Sequence, residues 1–131
     1  NVVKTWTSAY GVVNAAYLLE DGSILRGGKA RKPLTECRFI GAPGMGGVVE
    51  RIGWDGVVAW RFFLADNDHC LQHDIELLPN ENTLICEGDN GYVFEVSRDG
   101  QVVSTYQVPD APAVFRAYRY PADYAGLSEL Q

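Results

Sequence analysis

The sequence predicts an all-β fold made of two four-stranded antiparallel units, and three observations carry that prediction. The first is an internal repeat. Tyr17–Leu25 reads YLLEDGSIL and Glu76–Leu84 reads ELLPNENTL, while Asp55–Phe62 (DGVVAWRF) is answered by Asp99–Tyr106 (DGQVVSTY). The second is the placing of turn signals between these phrases: Asp21-Gly22, Asp55-Gly56 and Asp99-Gly100, with Asn80-Glu81 as the weaker match. Asp-Gly favours a two-residue hairpin in which both central positions take positive φ. The third is composition. Stretches such as VVERIGW, YVFEVS and QVVSTYQV are rich in β-branched and aromatic residues, and no segment shows helical periodicity with caps. Repeated four-stranded units of roughly 40–50 residues have the period of propeller blades.

The elements follow in order. Asn1–Trp6 (NVVKTW) aligns with the fourth strand of each unit, setting Trp6 beside Phe62 and Tyr106, and reads as an orphan strand. Blade one covers about 14–64, with strands near 14–20, 23–28, 47–54 and 57–64. Blade two covers about 73–108, with strands near 73–79, 82–87, 91–97 and 101–108. Lys29 to Gly46 is an insertion in the first copy that holds Pro33, Pro43 and several glycines, and so reads as a loop. The tail 109–131 carries prolines that favour extended packing over a regular strand. The whole, 1–131, reads as a single domain.

Composition narrows the function classes. A net charge of −6 argues against nucleic acid, whose backbone asks for a basic surface. No apolar run approaches the roughly 18 residues of a membrane helix. The three cysteines, Cys37, Cys70 and Cys86, form no CxxC pair and read as ordinary thiols, with one bridge plus one free thiol as the alternative.

A blade buries its faces against its neighbours, and two blades alone would leave two apolar faces in water. The expectation is self-association: three copies of two blades would close a six-bladed ring, and a head-to-tail contact that fails to close would give a filament.

Several segments bear on chemistry. His73-Asp74 opens the innermost strand of blade two, which lines the channel in a propeller; the competing role is to fix loops within the blade. Asp66, Asp68, His69, Cys70 and His73 cluster in DNDHCLQHD, but no closed metal motif is formed, so no metal is assigned and the stretch reads as a polar inter-blade loop. GAPGMGG (Gly41–Gly47) lacks the Lys-Ser/Thr of a phosphate loop and reads as a flexible entry to a strand. Arg116, Tyr118 and Arg119 combine guanidinium and aromatic groups suited to a small anionic or aromatic ligand; the structural alternative is a tail packing its aromatics on the last blade. No cofactor motif is present.

HDIELLPNENTLI (His73–Ile85) resembles the HD-x-x-x-LPNGNxL blade motif of the arylsulfotransferase-like family of bacterial β-propellers. NTLICEGDNGYVFEVSRDGQVV resembles its final blade, FRAYRYPADYAGL its C-terminal signature, and VVKTWTSAYGVVNAAYLLEDGSILR its first blade. Glu81 stands where the motif has Gly, and Ser104 where it has Trp. The resemblance implies a six-bladed propeller, here lacking its middle blades, and a secreted or periplasmic setting. It also implies a channel histidine as sulfate acceptor, which leaves His73 as the candidate nucleophile, with His69, Asp74, Arg116, Arg119 and Tyr118 as candidate ligand-binding residues. Two function classes follow: a non-catalytic structural or ligand-binding module, and a sulfotransferase-like enzyme or anion binder with a channel shared between subunits.

Overall fold

A computed structural model of the chain describes residues 1–10, 12–31, 45–67, 70–110 and 114–130. The fold is all-β: two four-stranded antiparallel sheets, each a meander with strands in sequence order. The first contains β1 (Val12–Leu18), β2 (Ile24–Arg31), β3 (Met45–Ile52) and β4 (Val58–Phe63). The second contains β5 (Gln72–Leu77), β6 (Thr83–Glu87), β7 (Tyr92–Val96) and β8 (Val102–Gln107).

The repeat is sharpest in the turns. The first and last hairpin of each sheet close with the same pair of backbone bonds, as in Leu19 N–H to Ser23 O (2.8 Å) with Gly22 N–H to Leu19 O (3.0 Å). The other three join Gly53 to Val57, Leu78 to Asn82 and Ser97 to Gln101. This is a three-residue loop, a type I turn followed by one left-handed residue, and not the expected two-residue hairpin. Only the last loop residue has positive φ: Gly22 (82°), Gly56 (85°), Gly100 (83°) and, in the odd copy, Glu81 (69°). The preceding Asp or Asn uses its side chain instead. Asp21 and Asp55 accept from the N–H two residues on at 2.9 and 3.0 Å, and Asn80 does so at 3.1 Å.

Two further expectations are corrected. The insertion is not all loop: β2 and β3 continue into it, pairing Lys29 with Gly47 and Arg31 with Met45. Gly47 sits there because another chain segment passes close by. A Cβ on it would lie 2.4 Å from Gln72 Oε1 and 2.7 Å from the Cys70 carbonyl, which accepts from Gly47 N–H. The glycine-rich stretch is thus strand entry at Met45–Gly47, while residues 41–44 lie outside the described residues. Cys70 is disulfide-bonded and Cys86 is a buried free thiol, so the bridged alternative holds over three ordinary thiols; Cys37 lies outside the described residues.

One core joins the sheets. Leu25, Val49 and Phe62 of the first sheet meet Ile75, Ile85, Phe94 and Val96 of the second, with Leu64 from the connection. Alternation along the strands turns the other residues outward, and here the structure departs most from expectation. The outer faces are not bare apolar surfaces. On the first sheet, Arg26, Glu50 and Arg61 align across β2, β3 and β4. Glu50 is fully buried, 2.5 Å from Arg26 Nη1 and 2.8 Å from Arg61 Nη2. Residues 1–10 lie over this face and form no strand, so the orphan strand expected at Asn1–Trp6 is a covering segment instead. Ser8 donates to Glu50 (2.7 Å), Tyr10 meets Phe63 edge-on at 5.8 Å, and the Trp6 indole N–H donates to Gly53 O (3.0 Å). Burial alone would push the Glu50 carboxyl up, but Ser8, Arg61 and Arg26 together hold it below its ordinary value.

The tail covers the outer face of the second sheet. Val114 N–H donates to Gly88 O (2.9 Å), and the Cys86 thiol donates to Val114 O (3.2 Å). Its arginines, rather than its aromatics, hold it there. Phe115, Tyr118, Tyr120 and Tyr124 remain exposed, with the rings of Tyr120 and Tyr124 in tilted contact at 4.6 Å.

Candidate functional site

β1 and β5 run past each other at the seam between the sheets, tied by Asn14 Nδ2 to Gln72 O (3.2 Å), while Gln72 Nε2 reaches Gly28 O on β2 (2.9 Å). The tail crosses the same seam. Four of the candidate residues therefore meet at one place: His73 and Asp74 from β5, Arg116 and Tyr118 from the tail.

Asp74 is nearly buried and is the hub. Its Oδ2 accepts from Arg116 Nε at 2.8 Å, and its Oδ1 accepts from the hydroxyl of Tyr17. Arg116 Nη1 donates to the Tyr118 hydroxyl (2.9 Å), and the guanidinium lies 5.6 Å from the Tyr118 ring centre. The hydrogen bond to Asp74, with burial and the carboxylate's charge, raises the pKa of the Tyr17 phenol above its ordinary value, against the opposing pull of Arg116.

The His73 ring meets Phe115 at a tilt, with centroids 5.2 Å apart, and presses against Gly88, where a Cβ would lie 2.5 Å from Nδ1. With Asn14, Tyr17 and Arg116 it lines an open hollow of about 370 Å³. A neighbouring pocket of about 250 Å³ is lined by Tyr17, Asp74, Glu76, Arg116 and Tyr118 over apolar walls.

Arg119 does not join this group. It pairs with Glu95 on β7, whose carboxylate also accepts from Asn82 (2.6 Å) and Asn80 (3.2 Å); Asn82 leads in holding it below its ordinary value. His69 and Asp68 lie outside the described residues. Sequence reasoning passes over Tyr17 and Glu76. The repeat held a signal for both, since it makes the strands bearing them equivalent inner strands that share one seam.

No family model and no curated protein matches the chain. Among solved structures, it is similar to a protein of unknown function from Bacteroides caccae, with a TM-score of 0.53 and 15% identity. The likeness covers 76% of this chain and 32% of that one, so this chain spans about a third of the other's length. Fold and site together define an all-β protein of paired four-stranded sheets, with a charged and aromatic cluster where the sheets meet.

Proposed function

We propose that this chain is a non-catalytic β-propeller module that associates head to tail with its own copies, three copies supplying six sheets. The observation that carries the reading is that both terminal segments, each lying over one outer face, bear exposed apolar residues. Val2 and Val3 stand on the segment over the first outer face, and Phe115, Tyr118, Tyr120 and Tyr124 on the segment over the second. Head-to-tail contact brings these two sets together and removes both from water. The similar structure is about three times as long as the stretch it shares with this chain, which suits a two-sheet unit used three times.

The non-catalytic part rests on the engagement of the candidate residues. Asp74 and Arg116 neutralise one another, Arg119 is paired with Glu95, and His73 is packed between Phe115 and Gly88. One observation favours the second reading, a sulfotransferase-like enzyme or anion binder: His73 and Arg116 line the same hollow. Turnover of an aryl sulfate ester separates the two. The module reading expects no turnover by the wild-type chain. Turnover that His73→Ala abolishes, with assembly intact, would establish the enzyme instead.

A further inference from the structure

The pocket of about 250 Å³ between β1, β5 and the tail carries a charge pattern opposite to the one the arginines suggest. Three nitrogens of Arg116 are already engaged, Nε by Asp74, Nη1 by Tyr118 and Nη2 by Tyr17 at 3.4 Å. Both Asp74 oxygens are engaged as well. Glu76 differs. It lines the pocket, and its Oε2 is buried without a hydrogen-bond partner among the described residues.

A buried acceptor left unmatched is costly, and a ligand that donates to it recovers that cost. Asp74, Glu76 and Arg116 together leave one negative charge in excess. The remaining walls are apolar, from Leu19, Leu25, Ile75 and Leu77, and Tyr118 presents a half-exposed ring at the mouth. An anion would meet a guanidinium whose charge is already matched by Asp74 and a second carboxylate, Glu76, that repels it. An ammonium would meet an unmatched carboxylate oxygen, with aromatic and aliphatic surface for the rest of the molecule.

We infer that this pocket is a binding site for a small primary amine bearing an aromatic or short aliphatic group, with Glu76 as its anionic acceptor. The inference rests on the proposed reading only in treating the seam as a place that binds rather than reacts.

The test is titration of the full chain, followed by NMR, with phenethylamine and, as the matched anion, phenyl sulfate. Phenethylamine is expected to shift the Tyr17, Ala117 and Tyr118 signals saturably, while phenyl sulfate leaves them unmoved. Glu76→Gln, nearly isosteric and checked for an unchanged amide spectrum, should weaken the amine at least tenfold. Saturable binding of phenyl sulfate in place of the amine overturns the inference on the wild-type chain alone. So does binding of neither probe, or undiminished amine binding by a folded Glu76→Gln. None of these outcomes depends on oligomer size, so failure here is distinct from failure of the assembly reading.

Discussion

The phenol of Tyr17 on β1 donates to the carboxylate of Asp74 on β5, so one hydrogen bond joins the inner strands of the two sheets. The bond needs the neutral phenol. Tyr17 therefore ionises above its ordinary value near 10. The raised folded-state pKa fixes the sign: this stabilisation is complete below the unfolded value and is lost as pH rises through the folded one. Absorbance at 295 nm should show one tyrosine titrating late. Tyr17→Phe should remove that late phase, and Asp74→Asn should move it earlier. A wild-type titration without a late phase would contradict the assignment.

Glu50 is the most exacting charge in the chain. Its removal leaves Arg26 buried and without its carboxylate, so Glu50→Ala should cost about 3 kcal/mol or more in urea melts. Its folded-state pKa is depressed, so its contribution is present above the unfolded value near 4.3 and disappears as pH falls through the folded value. Because Ser8 is held by the same carboxylate, acid should loosen residues 1–10 before the sheets open, visible as a change in Trp6 fluorescence.

Glu81 holds the left-handed position that glycine fills in the three sister turns. That conformation costs a non-glycine residue about 1 kcal/mol. Glu81 is offset by an ion pair with Arg51 (3.0 Å), which also reaches Asp21 (2.7 Å) and so links turns of both sheets. An exposed pair contributes only about 0.2–1 kcal/mol. Glu81→Gly should therefore stabilise the chain by about 0.5 kcal/mol, and a clear loss in thermal melts would mean that the Arg51 link outweighs the strain.

Cys86 reports on the tail. Burial, with the charges of Asp74 and Glu87, pushes its thiol up to about 11, and the tail covers it at Val114. Alkylation by iodoacetamide at pH 8 should be far slower than for a free thiol of ordinary pKa. Replacing Arg116 and Arg119 together by Ala releases both ion pairs of the tail and should restore fast labelling.

The strands were legible because their signals are local. Alternation and turn residues sit within a few positions of one another, and the copied phrases reinforce them. The turn type was not, because Asp-Gly serves both hairpin classes, and the choice depends on whether the Asp side chain caps the N–H two residues on. The outer faces were illegible for a different reason. Glu50 looks like a solvent-facing strand residue until Arg26, Arg61 and Ser8 are brought to it from three other segments. The seam was half legible: His73, Asp74, Arg116 and Tyr118 stand in recognisable phrases, whereas Tyr17 and Glu76 look like ordinary strand residues. Their roles depend on how β1 and β5 pass, and no local pattern encodes that.

The central claim is that copies of this two-sheet chain associate, and absolute mass in solution tests it most directly. Light scattering behind size exclusion, run at several concentrations, should give a discrete species of three times 14.4 kDa. A species that stays at 14.4 kDa across the concentration range would contradict the account, because the terminal segments would then suffice to cover both outer faces.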